Sequence, residues 1–173
     1  MLPEIKFTVE RDPKVLKARE WTKMLKLVWF RVGMFWHKFI LPKHFTKRGA
    51  AEYKYPKRQG EVYTGERGGW SRTYHSRKLK SKHHGHPLTF TGELKKAALG
   101  LVDIRATGNG ANIYLRGLPP HVNMRVSENS PNMRAELTAL SNKDIDTLVR
   151  FGDKQIDREL KRIAGGTSSL SLT

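Results

Sequence analysis

A chain of 173 residues with 33 Lys+Arg against 16 Asp+Glu carries a formal charge of +17, is 38% apolar and contains no cysteine. That length suits one domain around one core, and seven Phe, five Tyr and four Trp are enough to fill it, which excludes wholesale disorder. The missing cysteines exclude disulfides, thiol catalysis and thiolate metal sites, and the charge calls for anionic partners, either nucleic acid or acidic protein.

Met-Leu-Pro-Glu-Ile-Lys at the start lacks the basic-then-apolar pattern of a signal segment. The most apolar stretch, Leu27 to Leu41, is interrupted by Arg31, His37 and Lys38, so no membrane span is expected. Glu4 to Glu10 alternates, with Ile5, Phe7 and Val9 on one face, and predicts a short strand. Asp12-Pro13 is a helix start, because Asp caps free amides and Pro at the first helical position gives up no bond. One long helix is expected from there to about Ile40, with Trp21, Met24, Leu25, Val28, Val32, Phe35 and Phe39 on a core-facing stripe and Pro42 as its stop. Leu27, Phe30, Met34 and Leu41 fall off that stripe; such a second apolar face needs a second cover and is the candidate subunit interface.

Residues 43–86 hold twelve Lys+Arg, three Glu and five of the seven His, a net +9 that is about half the excess charge in about a quarter of the chain. With Gly60, Gly65, Gly68 and Gly69 as breakers, this reads as an extended, poorly packed basic arm, with a short helix or strand around Tyr53 and Tyr55 and a short helix from Trp70 to Lys82. Beyond it, Thr89 or Thr91 is placed to cap a helix Gly92 to Leu99. The strands Leu101 to Thr107 and Ala111 to Arg116 follow, joined at Gly108-Asn109-Gly110, where Gly and Asn tolerate positive φ. Residues 117–132 form a loop, and Met133 to Leu140 is expected to extend the sheet. Ser141 and Asp144 resemble a capping box opening a last helix, whose stripe Ile145, Leu148, Val149, Ile156, Leu160 and Ile163 runs to Gly165. Residues 165–173 are a tail that orders only on a partner. The sum is one α+β domain over 1–164: a small antiparallel sheet covered by a long N-terminal helix and a C-terminal helix, with the basic arm at 43–86.

The residues suggest little catalysis. His75, His83, His84 and His86, with His44 upstream, lack the i,i+4 pairing or thiolate partner that fixes a tetrahedral metal site, so a solvated basic loop is the better reading and no metal or cofactor is expected. Asp103, Glu93, Asp144 and Asp146 pair with no His and nucleophile by spacing, and Gly108-x-Gly110 lacks the third glycine of a nucleotide loop. Arg72, Arg77, Lys78, Lys80 and Lys82, interleaved with Trp70 and Tyr74, form a strip suited to DNA phosphates or an acidic partner. The aromatic, Lys-rich first helix is better spent on a core than on a membrane surface.

Pro87-Leu88-Thr89-Phe90-Thr91-Gly92-Glu93-Leu94-Lys95 resembles the P-L-x-x-T-G-x-L-basic motif of the phage tail-completion and virion-morphogenesis family, the Mu-type and lambdoid neck proteins. Arg134 to Asp144, with Leu140, Ser141 and Asp144, resembles that family's R-x-x-L-x-L-S-x-x-D run before its last helix. Two departures stand out: Ala97 occupies a position where the family often has a hydroxyl, and the stretch from Arg134 to Leu140 is one residue longer. The element order agrees across residues 12–164. The resemblance implies a non-enzymatic virion protein of the neck, assembled in the host cytoplasm as a homo-oligomeric ring, a hexamer, around the DNA path. Its implied partners are the head-tail connector or adaptor and the tail terminator or tail tube. The competing expectation, from charge alone, is a small nucleic-acid-binding protein of ribosomal or nucleoid type.

Overall fold

The long helix expected after Asp12-Pro13 is present as α1 (Ala18–Phe35) in the computed structural model, which describes residues 17–55, 74–82, 88, 92–122 and 132–164, without the side chains of Tyr74, His75, Arg77, Lys82 and His121. The strand expected at Glu4 to Glu10, the Asp12-Pro13 start itself and the tail 165–173 lie outside these residues. At its described start, Lys17 N donates to Glu20 Oε2 at 3.1 Å, which satisfies a free amide and places a carboxylate at the positive end of the helix.

Trp21, Met24, Val28 and Val32 are buried as the stripe requires, and Trp29 and Trp36, which the stripe omitted, are buried with them. The apolar arc is wider than one stripe because α1 is covered twice. On one side lies a hairpin of β1 (Val102–Ala106) and β2 (Ala111–Leu115), antiparallel with Ile104 opposite Ile113. On the other lies α6 (Asn142–Ala164), which runs antiparallel to α1, as Arg31 meeting Glu159 and Phe35 meeting Phe151 require. Gly33 is the point of closest approach to the hairpin: a methyl group there would stand 3.0 Å from Ile104 Cγ2.

After Phe35 the helix widens to a π-turn (Trp36–Ile40) and then tightens to a 3₁₀ segment (Leu41–Phe45) containing Pro42. Pro42 therefore does not end the rod at once. It has no N–H and crowds the carbonyl four residues back, so the ladder is rewound around it, with Leu41 N bonded to the Trp36 carbonyl. In the wider turn each residue advances less than the ~100° of an α-helix, which shifts the phase of the stripe. Phe39 consequently rotates out and is exposed, while Ile40 and Leu41 rotate into the core.

The start of the predicted arm is not an arm. His44 and Phe45 are buried, and α2 (Lys47–Glu52) follows, capped by Thr46 Oγ1 accepting from Gly49 N at 2.9 Å. Helix α3 (Tyr74–Lys82) lies within the helix expected at Trp70 to Lys82, and α4 (Glu93–Ala98) matches the one expected at Gly92 to Leu99. The cap of α4 is Gly92 itself, at φ +88°, with no side-chain hydrogen bond; Thr89 and Thr91 lie outside the described residues. The hairpin loop holds without positive φ: Thr107 N donates to the Gly110 carbonyl at 2.8 Å and Asn109 N to Thr107 Oγ1 at 3.2 Å, so the loop is pinned by a threonine hydroxyl.

Met133 to Leu140 adds no strand. It opens as α5 (Met133–Leu137), because Asn132 Oδ1 accepts from Ala135 N at 3.0 Å and caps a short run of good helix formers. The described sheet is thus two-stranded. Helix α6 buries Leu148 and Ile156 as expected, whereas Ile145 is exposed and Asp144 and Glu159 are buried. The architecture is the expected α+β domain: a small antiparallel sheet flanked by the long N-terminal and C-terminal helices.

Candidate functional site

Two features of the described residues bring polar chemistry together. The first is a joint where the rewound end of α1, the residues around α2 and the start of α6 meet. Lys43 Nζ pairs with Asp144 Oδ1 at 2.6 Å. Asp144 N donates to Ser141 Oγ at 3.2 Å while Ser141 N donates to Asp144 Oδ2 at 3.3 Å, a reciprocal cap of α6 made with a shorter acid than usual. The Ser141 hydroxyl lies 2.8 Å from Asp144 Oδ2 and 2.9 Å from Glu52 Oε1, so its proton is offered to carboxylates. This geometry ties elements together; it does not activate Ser141 as a nucleophile, which would need a base to take that proton.

His44 is fully buried beside these groups, stacked on Tyr53 with ring centroids 4.0 Å apart and planes 3° from parallel. Its Nδ1 is hydrogen-bonded to the Tyr55 hydroxyl, which itself donates to the Glu136 carbonyl at 2.8 Å. The phenol has one proton and gives it to Glu136, so the imidazole must carry its hydrogen on Nδ1 and donate it to Tyr55. Nε2 is then the bare nitrogen, buried and without a hydrogen-bond partner. Burial pushes the His44 pKa down to about 4, against the pull of the Glu136 carbonyl and the Asp144 charge. Tyr53 is pushed well above the usual phenol range by burial and by the neighbouring Asp144, although its hydroxyl makes no hydrogen bond of regular geometry. Burial opposes the ionised form of Asp144, but Lys43 and Ser141 outweigh it and hold the carboxyl below its ordinary value.

A second buried charge joins α1 to α6: Glu159, 2% exposed, takes Arg31 at 2.6 Å on Oε1 and Arg162 at 3.1 Å on Oε2. Gln155 Oε1 also accepts from Arg31 at 3.2 Å. Both clusters satisfy their charges internally. Among the described residues no three His, Asp or Glu side chains converge as metal ligands.

Of the candidate interface residues, Phe30 and Met34 are 43% and 41% exposed and Leu27 is half-buried beside them. Leu41 is fully buried in the chain's own core, because the π-turn rotates it inward, and it is withdrawn from the interface. Of the basic strip, Lys80 is exposed and Lys78 is 4% exposed and packed inward, so Lys78 offers no surface charge. Arg72 and the side chains of Arg77 and Lys82 lie outside the described residues.

The motif residues have structural work to do. Gly92 takes a left-handed φ that admits glycine most readily, Leu94 is buried, Leu140 is half-buried, and Ser141 and Asp144 cap α6. Leu88 is buried at φ +53°, while Pro87 and Thr91 lie outside the described residues. The sequence reading missed the His44, Tyr53, Tyr55 and Glu52 joint, since these residues looked like the start of a solvated arm. The signal for Glu159 was present: it shares the phase of Ile156 and Ile163, three and four residues away on the buried stripe.

No described helix is long and apolar enough to cross a membrane. No family model, curated protein or solved structure matches the chain.

Proposed function

We propose that the chain is a structural subunit that works by docking rather than by chemistry, and that its setting is the neck of a tailed-phage virion. There it joins the head connector to the tail as a homo-oligomeric ring around the DNA path. The observation that carries this reading is the second apolar face of α1, where Phe30 and Met34 stand exposed on the side opposite the core. A bare apolar strip on a strongly cationic domain is better explained by a partner than by solubility. Both stretches that resemble the neck proteins sit at helix starts: Gly92 takes the left-handed turn before α4, and Ser141 and Asp144 cap α6. This supports a shared fold determinant rather than a chance string. The ring faces its connector, adaptor, terminator or tube partners above and below, and the +17 per subunit suits a channel carrying DNA.

Charge also supports the other reading, a monomeric nucleic-acid binder. Negative-stain electron microscopy of the purified chain separates the two. Annular particles with a central channel support the neck reading. A monomer that binds duplex DNA with a steep salt dependence sinks it in favour of the other.

A further inference from the structure

Two outward faces of the domain match each other in charge and in length. On α1, Lys23 and Lys26 are exposed toward the start and Phe30 and Met34 toward the end. At ~100° per residue these four fall within a sector of about 80°. On α6, Ile145 is exposed near the start, and Asp153 and Asp157 are exposed further along, about 40° apart around the axis.

The spacings agree. At 1.5 Å per residue, Lys26 and Lys23 lie about 12 and 17 Å back from Met34, while Asp153 and Asp157 lie about 12 and 18 Å beyond Ile145. Laid antiparallel, the two helices set Ile145 on Met34 and Phe30, bring Asp153 to Lys26 and bring Asp157 to Lys23. Arg150 and Lys154 flank the acidic pair on the side away from Ile145, so an approach from the Ile145 side meets carboxylates and avoids those cations.

These faces do not meet within one chain. Helices α1 and α6 pack through other sides, with Arg31 on Glu159 and Phe35 stacked on Phe151 at 4.3 Å between ring centroids. None of Lys23, Lys26, Asp153 and Asp157 takes part in an ion pair within the described residues. A two-fold contact of α1 with α1 would oppose lysine to lysine, which disfavours a symmetric dimer through this strip. We infer that the α1 face of one copy docks on the α6 face of the next, head to tail. The inference rests on the ring reading above, since a head-to-tail contact closes into a ring when its rotation allows and otherwise runs into a filament.

The test is a paired charge reversal read by sedimentation velocity. One variant carries Lys23→Glu and Lys26→Glu; the other carries Asp153→Lys and Asp157→Lys. All four positions are exposed, and circular dichroism melts check that each variant folds. Each variant alone opposes like charges and is expected to sediment as a monomer where the unmodified chain assembles. Mixed one to one, Glu meets Lys and Lys meets Asp, and oligomers containing both variants in equal amounts should reappear. If both variants assemble as the unmodified chain does, or if the mixture stays monomeric, the contact is wrong while the ring reading stands. Should only the α1 variant lose assembly, the strip is covered by some other acidic surface, and the α6 contact is overturned. A monomeric unmodified chain at every concentration removes the ring reading and this contact together.

Discussion

His44 offers the sharpest quantitative test of the buried joint. In the fold its bare Nε2 is sealed from water with no acceptor, so protonation there would bury an uncompensated charge. Its pKa is pushed down to about 4 in the folded chain and returns to about 6.5 on unfolding. Between those values the unfolded chain binds more protons, so stability rises with pH. The contribution is complete above pH 6.5 and is lost as pH falls toward 4. At 1.36 kcal/mol per unit, a shift of this size is worth about 3 kcal/mol between pH 7.5 and pH 4. The assay is urea unfolding across that range, for the unmodified chain and for His44→Phe, with the slope of free energy against denaturant checked for constancy. Phe keeps the stack on Tyr53, and Tyr55 keeps its bond to the Glu136 carbonyl, so the variant should fold and lose about 3 kcal/mol of pH dependence relative to the parent. Equal dependence in both proteins would refute the burial argument.

Other consequences follow from the same contacts. Gly49→Ala would place a Cβ 1.9 Å from the Lys43 carbonyl oxygen, a backbone atom that cannot swing aside, so chemical denaturation should report a loss of several kcal/mol, ~3 or more, and disruption of the α2 region. Gly92→Ala meets no neighbour within 4 Å but keeps φ at +88°, and should cost only about 1–2 kcal/mol in the same assay. Asp144→Ala removes both the α6 cap and the Lys43 partner and should cost about 2–4 kcal/mol, since Lys43 can rehydrate; Asp144→Asn, which retains a capping oxygen, should lose about half that. Because the Asp144 pKa is held down, the parent's share from this group is present above the ordinary carboxyl range and fades as pH falls through the folded value, below the His44 window.

Much of the architecture was legible because it rests on periodicity and caps. The α1 stripe from Trp21 to Val32, the two strands, and the Ser141–Asp144 start of α6 all follow from local pattern. The pattern broke where local geometry departed from an ideal helix. The π-turn at Trp36–Ile40 exchanges Phe39 for Leu41 in the core, and no spacing rule written for ~3.6 residues per turn anticipates that. Asn132 was read as loop together with Pro131, and its capping oxygen turned a predicted strand into α5. The buried joint was hidden for another reason. Lys43, His44 and Glu52 look like solvated charge until Asp144, about a hundred positions later, is brought against them. Charge density alone made 43–55 an arm, whereas the aromatic spacing of Phe45, Tyr53 and Tyr55 belonged to a core. The interface strip was half legible: Phe30 and Met34 stand at the surface as their phase dictates, and Leu41 does not.

The claim that matters most is that this domain acts by self-association through outward helix faces. Native mass spectrometry of the unmodified chain over a range of concentrations tests it most directly. The account predicts one dominant closed species of fixed subunit number that persists on dilution and gives way to monomer at high salt, where exposed Lys–Asp contacts are screened. A monomer at every concentration, indifferent to salt, would contradict it.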